Sequence, residues 1–341
     1  MLTDTHVHFD GMIAAGAALD AIMARAEQAG VSRMIAVGGS PAANRTALEI
    51  ARAYPARVRA AVGYDRGQAT DDGRRTTDDR PEKTDTEEDD GRQPACNAML
   101  STAGRTMNQA LTKSYALARA RPDKKDGRTE QTAESEEKSQ HRTSNIEHPT
   151  SKGRSQTMDE LEAMLAAPEA AAIGEIGLDF HHGRGTALAQ IELFRRMLLL
   201  ARERRLPVCV HTRSAETETL AALRAHAGAW RGAPDRIGVM HCFTGGEAFA
   251  RDLLALGFSI SFSGIVTFKK AGSLPAVAAL TPDDRLLIET DSPYLAPEPF
   301  RGQPNEPARV RRVAEVLAEI RHTSWEAIAE LTARNAAKMF F

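Results

Sequence analysis

The sequence predicts an α/β protein of the (β/α)8 TIM-barrel class, with a long polar insertion after the third strand. Short apolar, β-branched runs alternate with amphipathic helical patterns along both flanks of the chain. Five of these runs lead into His, Glu or Asp, and parallel α/β folds keep their functional residues where strands end. A chain of 341 residues that is 42% apolar can fill such a core.

The strand and helix patterns support this class element by element. Before the middle of the chain, strands are predicted at 2–8, 34–38 and 58–63, and helices at 15–29 and 41–54. After it, three strands end at Glu175, His211 and His241, and two more follow at 258–263 and 286–290. Further helices are predicted at 186–204, 216–227, 246–256, 274–280, 306–321 and 324–340, the last with Ser324 as its cap.

Residues 66–156 do not follow this pattern. They are rich in charged residues, Ser and Thr, and poor in apolar residues, so we interpret them as a largely disordered insertion. A weak helix is predicted within it at 98–119. Without the insertion about 250 residues remain, the usual size of one barrel. We therefore expect residues 1–341 to form a single domain that carries one long loop on the barrel face of the predicted site.

Composition limits the classes of function. The net charge of −2 gives no basic footprint, so any binding of a polyanion must come from a local site. The three cysteines match neither a zinc-ribbon nor a disulfide spacing, which favours a reducing cytoplasm. No export signal and no apolar run of about 18 residues is present, so no membrane association is expected. No obligate protein partner is inferred, and a monomer is expected.

The strand ends carry a set of candidate metal ligands. His6 and His8 are two apart on a strand, which puts both imidazoles on one face, with Asp4 on the same face. Carboxylates can bridge two ions, which makes the glycine-flanked Glu175 a ligand candidate. The full set is His6, His8, Glu175, His211, His241 and Asp291. Asp291 is also the candidate proton acceptor from a metal-bound water. Glu289, two residues earlier on the same face, is expected to contact the ligands without binding metal. Asp179 is either a further ligand candidate or the cap of the next turn.

Imidazole and carboxylate ligands without thiolates suit one or two divalent ions such as Zn²⁺, Mn²⁺ or Mg²⁺. Such ions lower the pKa of bound water towards about 7, and a second ion stabilises a leaving oxygen. The set therefore indicates a hydrolase. Redox iron chemistry is disfavoured, because a non-haem iron site needs only two histidines and one carboxylate.

The same residues carry a family resemblance. Six motifs in order resemble those of the TatD family of metal-dependent deoxyribonucleases, within the amidohydrolase-like barrels; they begin at Asp4, Gly174, His211, His241, Glu289 and Arg301. The resemblance implies that His6 and His8 bind a first ion with Asp291, that His211 and His241 bind a second, and that Glu175 bridges both. It also implies 3'-5' exonuclease-like cleavage of DNA, as single strands or strand ends, with two divalent cations.

The sequence departs from the family pattern at the third strand. The family has a Gly-x-His-Pro motif there, whereas this chain has Ala61-Val62-Gly63-Tyr64-Asp65, and the long insertion follows. A substrate-contacting histidine is therefore missing, and Tyr64 is interpreted as its replacement.

Two other functions remain open at this point. One is an amidohydrolase or lactonase acting on a small C–N or ester substrate, because the same ligands would polarise a carbonyl. The other is a metal-binding scaffold without catalysis. For a nucleic-acid substrate, the candidate phosphate contacts are Arg213, Lys269, Lys270 and Arg301.

Overall fold

The computed structural model describes residues 1–69 and 151–341, and within them it confirms the predicted barrel. Eight parallel strands follow one another around the sheet in chain order. A parallel bridge between Val7 and Ser292 joins the last strand region to the first. The strands are β1 Leu2–Val7, β2 Val31–Gly39, β3 Val58–Tyr64, β4 Ala170–Asp179, β5 Val208–Arg213, β6 Gly238–Met240, β7 Ser259–Phe262 and β8 Leu286–Ile288.

Helices connect the strands and cover the outside of the barrel. In chain order they are α1 Phe9–Ala14, α2 Leu19–Gln28, α3 Pro41–Ala53, α4 Ser151–Leu165, α5 Phe180–Gly183, α6 Ala187–Arg204, α7 Glu216–Ala229, α8 Glu247–Ala255, α9 Leu274–Leu280, α10 Val310–Ile320 and α11 Trp325–Phe340. Ser324 caps α11 as predicted, since its side chain accepts a hydrogen bond from the Ala327 N–H. No helix in the described ranges is long and apolar enough to span a membrane.

The strands are apolar because both of their faces are buried. In β2, Ile35 and Val37 face a small cluster inside the barrel, whereas Met34 and Ala36 face the larger cluster between the sheet and the helices. Met339 and Phe340 of α11 belong to the inner cluster. The last helix therefore helps to fill the barrel interior, and the functional side chains lie at the carboxyl ends of the strands.

The structure corrects one predicted helix boundary in the first half of the chain. The short helix α1 directly follows β1, and the predicted helix at 15–29 begins only at Leu19. At the two ends of the predicted insertion, Arg66–Gln68 form a 3-10 turn after β3, and α4 spans Ser151–Leu165. The helix predicted at 98–119 lies outside the described residues.

Candidate metal centre

The first and last strands bring three predicted ligands together. His6 lies in β1 and His8 follows it, and their Nε2 atoms are 3.2 Å apart. Asp291 Oδ1 is 3.8 Å from His6 Nε2 and 3.4 Å from His8 Nε2. The backbone N–H of Asp291 donates to the His6 carbonyl oxygen, and Asp291 has a left-handed φ of 59°, which aspartate tolerates better than most residues.

Glu175 lies between two pairs of histidines. Its Oε2 atom is 3.6 Å from His6 Nε2 and 3.4 Å from His8 Nε2. Its Oε1 atom is 3.3 Å from His211 Nδ1 and 3.4 Å from His241 Nε2. Each carboxylate oxygen therefore faces a different half of the cluster, although the side chain is only about 6% exposed.

The prediction that β4 ends at Glu175 is wrong, because the strand continues to Asp179. The flanking glycines were interpreted as a bend that ends the strand. Instead the register against β5 shifts between Ile173 and Ile176, and Gly177 adopts a φ of 141°. A Cβ at Gly177 would lie 2.0 Å from the His211 carbonyl oxygen, so this glycine is required for β4 and β5 to approach closely.

Two further carboxylates contact the outer sides of His211 and His241. Asp179 Oδ2 is 3.5 Å from His211 Nε2, and Asp179 Oδ1 accepts hydrogen bonds from the N–H groups of His181 and His182. Asp179 thus caps the turn that follows β4, which is one of the two roles left open by the sequence, and it also contacts His211. Glu289 Oε1 is 3.5 Å from His241 Nδ1, which is the supporting position predicted for it.

The charged side chains of the centre shift one another's pKa values. Burial alone would raise the pKa of Glu175, but the positive charges of His241 and Arg66 hold it well below its usual range. Burial alone would lower the pKa of His241, but Glu175 raises it to about 10. Burial likewise opposes the raised pKa of His8, which is caused by Asp291 and Glu175. Burial and the charge of Arg66 lower the pKa of His211 to about 4.

The donor set fits divalent metal ions. Within the described residues, two groups hold ligand atoms within 4.8 Å of one another: His6, Glu175 and His241, and His6, His8 and Asp291. His211 belongs to neither group. The buried His211 Nε2 and both ring nitrogens of His241 have no hydrogen-bond partner among the described residues. Buried nitrogens that lack partners and face carboxylates are what metal coordination would satisfy.

Arg66 is a site residue that the sequence interpretation missed. Its Nη1 donates to Glu175 Oε1 at 2.8 Å, and its Nε is 3.4 Å from Asp179 Oδ2. The insertion predicted at 66–156 includes Arg66, because the residues that follow it are rich in charge. The available signal was its place directly after a strand end, where this fold carries functional side chains.

The structure also separates Tyr64 from the site. Burial raises the pKa of Tyr64 to about 12, and the charged groups that influence it are Glu160 and Arg45 on the outer helices. Burial raises the pKa of Asp65 to about 6, and the charges that act on it are Arg66, Glu175 and His8. Tyr64 is buried in the large apolar cluster between the sheet and the helices, whereas Asp65 precedes Arg66, which contacts Glu175.

Asp4 and Asn305 support the ligands without joining them. Asp4 accepts hydrogen bonds from the N–H and hydroxyl of Thr290, and burial raises its pKa to about 8. Asn305 is buried and donates to the carbonyl oxygens of Thr290 and Tyr294 on either side of Asp291. Both residues fix the loop that presents Asp291, and the hydrogen bonds of Asn305 were not predicted.

The predicted phosphate contacts lie at or after the carboxyl ends of β5, β7 and β8 in the chain. Arg213 ends β5 and contacts His182 Nε2 at 2.9 Å. The guanidinium of Arg301 lies 3.9 Å from the ring centroid of Phe268. Lys269 and Lys270 are exposed just after the 3-10 turn Gly264–Thr267 that follows β7. The structure thus places these cations near strand ends, but outside the cluster of ligands.

Comparisons with known proteins assign the chain to a family. Residues 3–341 match the family described as TatD-related DNase. The chain is 44% identical over 193 residues to an Escherichia coli K12 protein named uncharacterized metal-dependent hydrolase YcfH, covering 57% of this chain and 71% of that protein. It is 36% identical over 198 residues to the Citrobacter rodentium protein named 3'-5' ssDNA/RNA exonuclease TatD, covering 57% of this chain and 73% of that protein.

A solved structure shows the same fold. The TatD homologue YjjV of E. coli K12 superposes with a TM-score of 0.66 at 24% identity, covering 99% of this chain and 97% of that chain. The barrel, the cluster of histidines and carboxylates at its strand ends, and the match along residues 3–341 lead to one conclusion. The chain belongs to the TatD-related DNase family and is a metal-dependent hydrolase.

Proposed function

We propose that this protein is a deoxyribonuclease that uses two divalent metal ions to hydrolyse phosphodiester bonds at single-stranded DNA ends, in the 3'-5' direction. The observation that carries the proposal is that the two carboxylate oxygens of Glu175 face different histidines. Its Oε2 faces His6 and His8, and its Oε1 faces His211 and His241. One carboxylate placed between two pairs of imidazoles suits a pair of neighbouring cations.

In this proposal His6, His8 and Asp291 would hold the first cation, His211 and His241 would hold the second, and Glu175 would contribute to both. The ions would activate water for attack and neutralise charge on the leaving oxygen. Asp291 accepts the proton of the attacking water, because its carboxylate is ionised at neutral pH. Burial alone would raise the pKa of Asp291, but His8 and His6 hold it below its ordinary value.

Three carboxylates and one amide around the ligands keep the ligands in orientation. Glu289 contacts His241 Nδ1, and Asp179 contacts His211 Nε2, each at 3.5 Å. Asp4 and Asn305 fix the Thr290 backbone next to Asp291. The catalytic carboxylate is thus held by its neighbours, although it lies outside the regular strand.

The substrate class is supported by the family and by the charges at the barrel opening. One relative is named a 3'-5' ssDNA/RNA exonuclease. In the proposal, Arg213, Lys269 and Arg301 contact phosphate oxygens of the strand that enters. A guanidinium that lies on an aromatic ring, as Arg301 does on Phe268, keeps its N–H donors available at its edge.

A labelled-oligonucleotide assay tests the proposal. Protein stripped of metal is reloaded with Mg²⁺, Mn²⁺ or Zn²⁺ and given single-stranded DNA labelled at its 5' end. We expect a ladder that shortens from the 3' end with at least one of these metals. If N-acyl amino acids or lactones are hydrolysed while DNA stays intact, the protein is a small-molecule amidohydrolase or lactonase instead.

Asp291→Asn is the catalytic variant for this assay. It should keep most of the bound metal but lower turnover about 10²-fold or more, because an amide cannot accept the proton. Asp252→Asn is the matched control, since Asp252 is an exposed partner of Arg224 on the outer helices. A near-normal rate and an unchanged pH profile in Asp291→Asn would restrict Asp291 to a structural role.

A further inference from the structure

The proposed centre has two half-sites: the first contains His6, His8 and Asp291, and the second contains His211 and His241. We infer that the Arg66 guanidinium competes with a metal ion for Glu175 Oε1 in the second half-site. This competition makes the two half-sites unequal in their affinity for metal. The inference rests on the proposed pair of metal ions. By this inference Arg66 controls how tightly the second metal ion binds. Arg66 follows the segment in which the sequence departs from the family motif.

The guanidinium occupies the acceptors on one side of the centre. Arg66 Nη1 is 2.8 Å from Glu175 Oε1, the same oxygen that faces His211 and His241. Its Nε is 3.4 Å from Asp179 Oδ2, the oxygen that faces His211 Nε2. Both carboxylates beside His211 are thus engaged by one arginine, whereas Glu175 Oε2 faces His6 and His8.

The arginine is held close to the site by its backbone. It begins the 3-10 turn Arg66–Gln68, which the Asp65 side chain caps by accepting from the Gly67 N–H. The Arg66 side chain is 30% exposed, so it is partly accessible to solvent. It therefore has room to leave Glu175 without disrupting the core.

The charge balance of the buried carboxylate explains why the contact forms. Glu175 is 6% exposed, and a buried carboxylate is costly unless a positive group pairs with it. A charge-assisted hydrogen bond from a guanidinium supplies that pairing. A divalent ion at the His211 and His241 half-site would need the same Oε1 lone pairs, so the two cations exclude each other there. The first half-site uses Oε2 and is loaded without displacing Arg66.

Calorimetric titration with Mn²⁺ of the full-length, metal-stripped protein tests the inference. For the wild type we expect two equivalents with unequal affinity. In Arg66→Gln the second equivalent should bind at least about tenfold more tightly, which is about 1.4 kcal/mol, while the first stays within about twofold. Arg66→Lys should tighten the second equivalent by a smaller factor, because an ammonium cannot span both carboxylates as the guanidinium fork does.

Arg213→Gln is the matched control. It removes the same charge at the end of β5, but the Arg213 side chain contacts His182 and not Glu175. It should leave both Mn²⁺ affinities within about twofold of wild type. An equal change in Arg213→Gln and Arg66→Gln would mean that only general electrostatics is measured, and would overturn the direct competition.

The remaining outcomes separate the inference from the proposed function. Suppose that every variant binds two equivalents of Mn²⁺, and that the second equivalent binds no more tightly in Arg66→Gln and Arg66→Lys than in the wild type. This result would overturn the role of Arg66 and leave the two-metal proposal standing. Binding of at most one equivalent in all variants would overturn both. If circular dichroism shows that Arg66→Gln does not fold, Arg66→Lys decides the question, because it keeps the charge. Tighter binding of its second Mn²⁺ equivalent than in the wild type supports the inference, and unchanged or weaker binding overturns it.

Discussion

Glu175 is the residue on which both halves of the centre depend. Its two oxygens contact different pairs of histidines, and its carboxylate offsets the repulsion between the cations proposed to lie on either side. Glu175→Ala should therefore remove activity and weaken binding at both positions together. Metal analysis of the purified variant measures this directly.

The matched control is Glu169→Ala, which removes a carboxylate just before β4 that pairs with Arg52 on an outer helix. It should retain the wild-type metal content. Two full equivalents of metal in Glu175→Ala would exclude the bridging role of Glu175, and loss of one equivalent alone would assign it to a single half-site.

His226 links stability to pH at a residue away from the metal centre. It is fully buried in α7, where its ring is 5.4 Å from that of Trp230 and 6.3 Å from that of Phe258. Burial lowers its pKa to about 4, and the charge of Arg202 acts in the same direction. As pH falls below the ordinary value of about 6.5, the unfolded chain gains this proton before the folded protein does.

The folded state should therefore lose about 2 kcal/mol through His226 between pH 7 and pH 4.5. Urea unfolding at both pH values checks this, with His226→Gln compared with wild type, so that other titrating groups cancel. The loss should shrink in His226→Gln and persist in His322→Asn, which replaces an exposed histidine. An equal loss in wild type and His226→Gln would show that His226 does not titrate in this way.

At the scale of elements, the irregular strand β4 sets the position of Glu175 relative to His211. The required φ of 141° at Gly177 and the predicted 2.0 Å contact of a Cβ with the His211 carbonyl oxygen make any side chain there unfavourable. Gly177→Ala should lower the free energy of unfolding by about 3 kcal/mol or more, from backbone strain and overpacking together. It should also reduce metal content, because β5 must shift.

Gly228→Ala is the control for this change. A Cβ at Gly228 in α7 would meet nothing within 4 Å, and alanine suits a helix better than glycine. It should change stability by no more than about 1 kcal/mol, in the stabilising direction. A Gly177→Ala variant that unfolds at the wild-type urea concentration would show that β4 and β5 adjust freely.

The sequence predicted those elements whose pattern is set by burial alone. The first residues of β5 are buried on both faces, so they appear as an apolar run that leads into His211. The same logic places His241 directly after β6. The six ligand candidates lie in or after several different strands, and Glu175 lies within 3.6 Å of all four of the histidines. Their role as metal ligands stays a prediction.

Elements that depend on contacts with distant chain segments could not be predicted in this way. The glycines around Glu175 favour a bend in isolation, but pairing with β5 continues the strand to Asp179. Arg66 resembles the charged residues that follow it, and only its contacts with Glu175 and Asp179 distinguish it. Asn305 likewise acts through the backbone of a loop whose shape no local pattern specifies.

For the whole molecule, the central question is whether the residues after β3 belong to the fold. We propose a single barrel domain, because residues 71–150 have too few apolar side chains to contribute a core. Replacing 71–150 by a short Gly/Ser linker should preserve cooperative thermal unfolding and metal content, since long loops add little closure entropy. Substrate affinity or length preference should change instead, because the loop leaves the barrel face that carries the centre.

Calorimetry and metal analysis of the deletion variant check this expectation. A Gly/Ser replacement of equal length serves as the control, since it keeps the loop but removes its charges. If cooperative unfolding and bound metal are lost together in both variants, the segment is part of the folded structure, and the chain should be redrawn as two domains.

The pairing of the first and last strands has a consequence for the making of the protein. The hydrogen bond between Asp4 and the Thr290 N–H joins residues 286 positions apart, and His6 meets Asp291 across the same seam. A chain emerging from the ribosome therefore exposes His6 and His8 long before their carboxylate partner is translated. The proposed first half-site can form only when the segment after β8 joins β1, so a chain that ends before β8 would lack Asp291 and with it this half-site.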